Sequence, residues 1–351
     1  MLDLKSSHRS RWRSLGAAGV SALALTLGAP PAEANHGTSD VCSQSANLLY
    51  QACRLDVIEE SFETRAVCVN LADAEQRAEC LDEIEDAREE AAEECSVQRE
   101  ARSELCDAIG EAPYDPDMDP ALFQDPRNPS TPNPYFPLSV GSRWVFEEGD
   151  ERIEIEVLDK TKRISGVDCI VVNDRAIEDG IVVEDTDDWF GLRTDGTAEY
   201  CGELSRDYEL FEGDDPEELE LVSIEGSFKA GVEGAKSGTI FLGSPVVGAT
   251  YRQEWFAGEA EDVGTVLSTT YRYGEDETLD QAVPQALAEL MCAAGDCIVV
   301  ADTSTLEPDA FEHKFYARGV GLFLEVKPED GEFVALVECN HDARCASLPL
   351  P

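Results

Sequence analysis

The chain has 351 residues, of which 74 are acidic and 27 are basic, so its formal net charge at pH 7 is −47. Nucleic-acid binding needs a basic surface, and this charge argues strongly against it and against an anionic membrane surface as partner. High net charge keeps an exported protein dispersed in solution. We therefore interpret the acidity as a source of solubility, or an adaptation to habitat, in preference to a dedicated cation-binding function.

The first 34 residues are typical of a secretory signal peptide. Four basic residues precede the apolar run LGAAGVSALALTLGA, and Ala32 and Ala34 form a small-residue cleavage site before Asn35. A membrane anchor is the alternative, but the apolar run has about fifteen residues and a spanning helix needs roughly twenty. Cleavage would remove four basic and two acidic residues and leave a net charge near −49. We expect a periplasmic or extracellular protein with no transmembrane segment after cleavage.

Six of the twelve cysteines are spaced as a palindrome, with gaps of 11, 15, 12, 15 and 11 residues. An even cysteine count in an exported chain indicates disulfide bonds. Pairing the outermost, middle and innermost cysteines gives residue numbers that sum to 148 each time, as in two antiparallel arms. The predicted disulfides are Cys42–Cys106, Cys53–Cys95 and Cys68–Cys80.

The segments that carry these cysteines have the composition of helices. Residues 41–72 and 76–109 are rich in Ala, Glu, Arg and Leu and contain neither Gly nor Pro. We predict a disulfide-stapled helical hairpin over residues 35–109 with its tip near Ala74. Ser61 or Thr64 could instead cap a new helix and break the first arm in two. The absence of C-x-x-C and C-x-x-C-H motifs argues against a metal or haem site in this hairpin. No cofactor is predicted for the chain.

The rest of the chain changes character twice. Residues 110–138 contain eight prolines and are predicted to form an extended strap. From residue 139 to 351 the apolar residues alternate with polar ones, as in RIEIEVLD and GLFLEVK, and turn residues separate the segments. Only residues 276–296 carry a helical signal. The predicted fold is therefore α+β, with an antiparallel β domain that is either a curved open sheet or a barrel.

The start of the β domain carries a family resemblance. NPYFPLSVGSRWVFE resembles the NPYFPL-x-PG-x-x-W-x-Y opening of an uncharacterised family of exported bacterial proteins, and later blocks extend the similarity over residues 132–339. EHKFYARGVGL is similar to the closing hairpin of periplasmic β-cup proteins that hold lipids or act as carriers, although Arg318 stands where many of those have Pro. The resemblance implies a carrier-like β fold and no settled activity.

The sequence has no catalytic signature: G-x-S-x-G, H-E-x-x-H and G-x-G-x-x-G are all missing. A concave sheet face is the natural place for a ligand, and aromatic residues often line such pockets. The candidate ligand-binding residues are Trp189, Tyr200, Arg252, Glu254, Trp255, His313 and Tyr316. Arg252 and Glu254 are predicted to lie on one strand face, where they could form an inward ion pair. Asp185 and Asp187 share a strand face and are the candidate metal ligands.

The second set of six cysteines offers less regularity. Cys292 could pair locally with Cys297, and Cys339 with Cys345, but spacing alone leaves the pairing of all six open, with Cys169 and Cys201 completing the set. An even count argues against a nucleophilic free thiolate.

Three functions remain open at this point. The first is an exported binding or interaction protein whose β domain holds an apolar or amphipathic ligand and whose hairpin docks a protein partner. The second is a carboxylate-dependent hydrolase that uses Asp185, Asp187 or Glu254. The third is a cell-surface structural or Ca²⁺-binding protein.

Overall fold

A helical hairpin precedes a large antiparallel sheet in the computed structural model, which describes residues 40–149, 151–211 and 213–349. The predicted signal peptide lies outside these residues. The predicted α+β architecture is confirmed, and the sheet is open.

The hairpin consists of helix α1, Val41–Val69, and helix α2, Ala74–Ile109. Helix α1 is continuous, because the Ser61 hydroxyl donates to the carbonyl of Ile58 within the helix and caps no new one. Helix α2 begins where the Asp73 carboxylate accepts hydrogen bonds from the first free backbone amides. These features give two uninterrupted antiparallel arms joined by a short turn.

Three disulfides link the two arms of the hairpin, at its base, middle and tip. They are the pairs that the mirror-image spacing predicts, Cys42–Cys106, Cys53–Cys95 and Cys68–Cys80. Two helices alone bury too little apolar surface to be stable, and covalent links reduce the entropy of the unfolded hairpin.

Among the described residues, fourteen strands follow the hairpin. They are β1 Arg143–Glu148, β2 Glu151–Ile164, β3 Val167–Glu178, β4 Ile181–Leu192, β5 Ala198–Leu204, β6 Asp207–Leu210, β7 Leu219–Ser223, β8 Gly238–Phe241, β9 Thr250–Arg252, β10 Asp262–Tyr271, β11 Cys297–Ser304, β12 Phe311–Ala317, β13 Gly321–Lys327 and β14 Glu332–Cys339. Their order in the sheet is β7-β6-β4-β3-β2-β1-β14-β13-β12-β11-β10-β9, and β5 pairs with β4 and β8. The sheet is thus two meanders that meet where the first strand pairs with the last.

The two ends of this sheet approach each other without forming a continuous ladder. A single β-bridge joins Lys236, just before β8, to Trp255, just after β9. A Cβ atom on Gly238 would lie 2.0 Å from the carbonyl oxygen of Gln253, so only glycine allows this approach. The sheet is consequently curved into a cup with a concave face.

The predicted helical segment over 276–296 contains only one short helix, α3, Gln285–Met291. It is shorter than predicted because Pro284 lacks an amide hydrogen and stands at the helix start, so the preceding residues form turns. Leu287, Ala288 and Met291 pack into the main core. Helix α3 therefore covers part of the sheet and contributes to its core.

The hairpin docks on the β domain through buried polar contacts. The Arg102 guanidinium donates to the Glu261 carboxylate at 2.6 and 3.2 Å, and both side chains are at most 5% exposed. The amide of Gln98 donates to the carbonyl of Leu306 at 2.8 Å. These contacts fix the base of the hairpin against the sheet end that carries β9 and β10.

The remaining cysteines form three disulfides, so that all twelve are paired. Two link residues close in sequence, Cys292–Cys297 and Cys339–Cys345, and the third joins Cys169 on β3 to Cys201 on β5. Six disulfides without a free thiol are typical of an exported protein.

Candidate functional site

The concave face of the sheet encloses a cavity of about 280 Å³. At about 30 Å³ per water, this volume holds roughly nine water molecules or a ligand of similar size. Strands from both meanders contribute to its lining. The cavity is therefore an assembled feature of the whole β domain.

One wall of the cavity is apolar. Its members are aromatic and aliphatic side chains, namely Phe136, Leu138, Trp144, Phe146, Ile155, Val157, Val172, Phe190, Ile240 and Leu322. Several of these belong to the main buried core, so the wall is rigidly packed from behind.

The NPYFPL block forms part of this wall. The Asn133 side chain is buried, accepts from the amides of Tyr135 and Phe136, and donates to the carbonyls of Gly196 and Leu242. These bonds turn Phe136 into the cavity, where its ring meets that of Phe190 edge to face at 5.1 Å. The NPYFPL block thus helps to line the cavity.

The same lining contains six carboxyl side chains, which we call the acidic wall: Asp174, Asp188, Glu254, Asp262, Asp302 and Glu325. Some of them lie among the apolar side chains, since Asp174 is across from Ile155 and Asp188 is across from Val172 in the strand register. One cation, Lys314, lies among them. Its ammonium group is 2.6 Å from the Asp302 carboxylate and 3.9 Å from that of Glu325. The described lining thus contains six carboxyl groups and one ammonium group.

Burial perturbs the protonation of this wall. Desolvation raises the pKa of Asp188 to about 7, that of Glu325 to about 7 and that of Asp262 to about 6. The pKa values of Asp174 and Glu254 are raised as well, by burial first and by neighbouring carboxylates second. Some carboxyl groups of the cavity lining therefore retain protons near neutral pH.

Tyr200 links two of the perturbed carboxyl groups. Its hydroxyl contacts Asp188 Oδ1 closely and lies 3.0 Å from Glu203 Oε2. Burial and the Asp188 charge raise the pKa of Glu203 to about 8. Two adjacent carboxyl groups that titrate near neutrality can share and transfer a proton, which is a requirement of acid–base chemistry.

Gln253 adds an unusual polar group to the lining. The residue is 2% exposed and lines the cavity, yet its Nε2 has no hydrogen-bond acceptor. A buried donor without a partner costs about 1–3 kcal/mol. Since the residue lines the cavity, a bound molecule with an oxygen acceptor within reach of Nε2 would remove this cost.

Only three of the predicted ligand-binding residues meet in the cavity. Tyr200, Glu254 and Tyr316 line it, and they come from β5, from the segment after β9 and from β12. Trp189 instead lies on the outer face of β4, where the Lys162 ammonium is 3.1 Å from its ring centroid. Alternation along the strand explains this, because Trp189 is flanked by the cavity residues Asp188 and Phe190.

Asp185 and Asp187 also lie away from the cavity, on the same face of β4 as Trp189. Asn173 donates to Asp185 at 2.6 Å, and Arg206 lies 3.5 Å from Asp187. Among the residues that the structure describes, no group of three or more His, Cys, Asp or Glu is arranged to hold a metal ion.

Arg252, Trp255 and His313 occupy other surroundings. Strand β9 ends at Arg252, so the expected pairing with Glu254 across one strand face is wrong: the guanidinium lies 5.6 Å from the Tyr114 ring centroid at the hairpin junction. The Trp255 ring also packs near Tyr114, at 6.4 Å. His313 is buried between phenylalanine rings, and desolvation lowers its pKa.

The sequence contained one usable signal for the residues that were missed. Asp302 in CIVVADT and Glu325 in GLFLEVK are charges inside strongly apolar strands, which points to a functional or paired role. Their common face could not be read from alternation, because a β-bulge at Phe315 and Tyr316 shifts the register between β12 and β13. That bulge places Glu325 beside Lys314.

No protein-family model, curated protein sequence or solved structure matches this chain. In the described ranges, no helix combines the length and apolarity needed to cross a membrane. Function must therefore be argued from the cavity itself.

Proposed function

We propose that this chain is an exported binding protein whose β domain holds one small amphipathic molecule in the cavity. The observation that carries the proposal is the mixed lining of the cavity, in which carboxyl groups lie directly beside aromatic and aliphatic side chains, as Asp188 does beside Val172 and Phe190. Ligand sites are generally concave, largely apolar and furnished with a few converging polar groups. A purely apolar ligand would leave the acidic wall unsolvated, and a purely polar one would waste the aromatic wall.

The unpartnered amide of Gln253 also supports a polar group in the ligand, and the position of Phe136 supports an apolar one. Asn133 makes four hydrogen bonds that hold the NPYFPL segment, and with it Phe136, at the cavity. The apolar part of the ligand would lie against Phe136 and Phe190. Its polar part would lie against Glu254 and the neighbouring carboxyl groups.

The test is to purify the full mature chain from its own host and to identify bound molecules by native and organic-extract mass spectrometry. We expect a stoichiometric small molecule that is retained after gel filtration. Val172→Phe, which fills the cavity from β3, should abolish retention, whereas Val246→Phe at an exposed position should not. An empty wild-type protein after soaking in host lipid and metabolite extract, or equal retention by Val172→Phe, would refute the proposal.

A carboxylate-dependent hydrolase is the second candidate, and one observation favours it. Asp188 and Glu203 share the Tyr200 hydroxyl, and their pKa values are raised to about 7 and about 8. The acid–base pair would then be Asp188 and Glu203, because Asp185 and Asp187 lie on the other face. A panel of ester, glycoside and phosphate substrates tests this candidate. Turnover that disappears in Asp188→Asn and in Glu203→Gln would establish it over simple binding.

A further inference from the structure

We infer that the ligand of this cavity carries a positively charged amine beside its apolar part, an inference that rests on the proposed function. The cavity lining has six carboxyl groups and one ammonium group, Lys314, which is already paired with Asp302. A positively charged group is the ligand chemistry that compensates the remaining carboxylates. An anionic head group would meet repulsion from nearly every side.

The energetics of burial lead to the same ligand class. Carboxylates removed from water are costly unless they are protonated or paired with a cation. When no cation is bound, protons neutralise part of the buried carboxylate charge, because burial raises the pKa of Asp188 to about 7. An ammonium group would replace those protons and restore the charged form. Binding should therefore release protons.

The orphan amide of Gln253 is an independent indication of an occupant. Its Nε2 is buried and has no acceptor, and the residue is part of the cavity lining. Gln253 directly precedes Glu254, so a ligand amine held by the carboxyl group would lie near this donor. A hydroxyl or carbonyl oxygen next to the amine would satisfy it.

The pH dependence follows from the groups that face the ligand position. Those around Glu254 come from every neighbouring element, and they are Asp174 on β3, Asp188 on β4, Tyr200 and Glu203 on β5, Asp262 on β10, Asp302 on β11, Lys314 on β12 and Glu325 on β13. Burial raises the pKa of Asp262 to about 6, those of Asp188 and Glu325 to about 7 and that of Glu203 to about 8. These four groups lose protons as the pH rises from about 5.5 to 8, whereas an alkylamine stays charged. The affinity for an amine should rise over this interval, and that for a neutral alcohol should not.

The experiment compares three matched probes with the delipidated full mature chain by calorimetry at pH 7.5. The probes are 4-phenylbutylamine, 4-phenylbutan-1-ol and 4-phenylbutyrate, which differ only in the head group. We expect the amine to bind at least about tenfold more tightly than the alcohol, because hydrogen bonds to charged groups are the stronger ones. The carboxylate probe should not bind measurably. Calorimetry in two buffers of different ionisation enthalpy should reveal proton release with the amine.

Two variants locate the effect. Glu254→Gln should lower the amine affinity about tenfold and leave the alcohol affinity nearly unchanged, because it removes a charge and keeps the shape. Glu329→Gln, in the exposed turn between β13 and β14, should change neither affinity. An amine preference that survives Glu254→Gln and Asp188→Asn would overturn the assignment of the acidic wall.

Failure of this inference and failure of the proposed function give different results. Binding of the alcohol as tightly as the amine, or a neutral or anionic co-purified molecule, overturns the amine while the binding function stands. A cationic co-purified molecule supports the inference even if the three probes bind weakly. Absence of any bound molecule and of any probe binding overturns both.

The exposed face of helix α1 carries a second, independent inference: we propose that two copies of the chain pair through this face. Apolar residues recur on it at every seventh position from one helix end to the other, and each is at least 40% exposed: Val41, Leu48, Leu55, Phe62 and Val69. Ile58 adds to the same face at 45% exposure. A seven-residue apolar repeat is the pattern of a helix that packs lengthwise against another helix.

Charge and area favour a second copy as the partner. Helix α1 contains four acidic and two basic residues, whereas α2 contains thirteen acidic and four basic residues. Two α1 helices can thus approach with little repulsion despite the acidity of the whole protein. The six apolar side chains expose roughly 600 Å² per copy, so pairing would bury an area comparable with a standard interface of about 1,600 Å² once flanking residues are included.

The position of the β domain selects the antiparallel arrangement. Val41 and Val69 are equally distant from Leu55, so a twofold axis at Leu55 aligns the repeat with itself. The β domain contacts the hairpin base near Cys42 and Arg102. Antiparallel pairing therefore places the two β domains at opposite ends of a helix pair about 42 Å long.

Light scattering coupled to gel filtration tests this pairing on the full mature chain at micromolar concentration. We expect twice the chain mass, and a tighter dimer at high salt because salt screens the net charge. Leu55→Glu and Phe62→Glu should give monomers with unchanged circular dichroism, whereas Val97→Glu on α2 should remain dimeric. A monomer up to about 100 µM, or a dimer that survives both α1 variants, would overturn the proposal.

Discussion

Removing one partner of the buried ion pair at the hairpin base tests how the two parts of the protein are joined. The Glu261 carboxylate accepts four hydrogen bonds, two from Arg102, one from Thr305 Oγ1 at 2.5 Å and one from the amide of Gly258 at 2.7 Å. Glu261→Gln removes the charge and directs an amide NH₂ group at neighbouring donors. The Arg102 guanidinium then remains buried, 5% exposed, without a counter-charge.

We expect Glu261→Gln to lower the free energy of unfolding by about 3–5 kcal/mol, the usual cost of leaving one member of a buried pair uncompensated. Arg102→Met should cost a similar amount. The double variant Arg102→Met/Glu261→Met should cost much less than the sum of the two single changes, because no unpaired charge remains.

The assay is guanidinium unfolding followed by tryptophan fluorescence, with hydrogen exchange at Thr305, whose amide donates to the carbonyl of Glu261. The matched control is Glu85→Gln, which removes an exposed pair with Arg88 on the same helix and should cost less than about 0.5 kcal/mol. The reasoning fails if Glu261→Gln lies within about 1 kcal/mol of the wild type, or if the two single changes add in the double variant.

Three further predictions concern the sheet, the cavity and the hairpin. Gly238→Ala should lower the melting temperature strongly, because its Cβ would lie 2.0 Å from a carbonyl oxygen across the gap between the sheet ends. Stability should fall as the pH rises from about 5 to 8, because folded carboxyl groups with raised pKa values retain protons that the unfolded chain releases. Asp188→Asn should flatten that slope, since burial raises the pKa of Asp188 to about 7. Replacing Cys53 and Cys95 by Ala should cost about 2–4 kcal/mol in the thermal unfolding of the oxidised protein.

Each of these predictions has a contrary result that would refute it. Gly248→Ala, at an open turn with φ +84°, should cost only about 1 kcal/mol, and an equal loss at Gly238 would remove the steric argument. A stability that rises between pH 5 and 8 would contradict protonated carboxyl groups in the cavity. An unchanged melting temperature without Cys53 and Cys95 would show that the middle disulfide adds nothing to the other two.

The hairpin could be predicted from the sequence because the spacing of its six cysteines alone determines which of them pair. Antiparallel helices must place paired cysteines at a constant residue sum, and no other choice of partners satisfies the spacing from Cys42 to Cys106. The β strands were recognisable for a similar reason, since alternation is a property of a few adjacent residues. Topology, however, depends on which strands become neighbours, and nothing local encodes the pairing of β1 with β14.

The cavity residues were predicted only in part, for two reasons. Which residues line the cavity depends on which face of each strand they occupy, and some of them come from segments without regular secondary structure. Trp189 and Asp188 are adjacent in sequence, yet only Asp188 faces the ligand position. Phe136 reaches the cavity from a proline-rich strap with no periodicity, held by Asn133. Arg252 ends its strand, so alternation could not predict where Glu254 points.

The pairing of β1 with β14 sets the order in which the fold can be completed. Trp144 and Cys339 lie opposite each other in this pair, although one is synthesised near the start of the β domain and the other near its end. Until β14 pairs with β1, the first meander therefore has a free edge that can recruit strands from other molecules. Strand β14 covers this edge when it pairs with β1. We expect the chain to be most vulnerable to aggregation and proteolysis before that pairing forms.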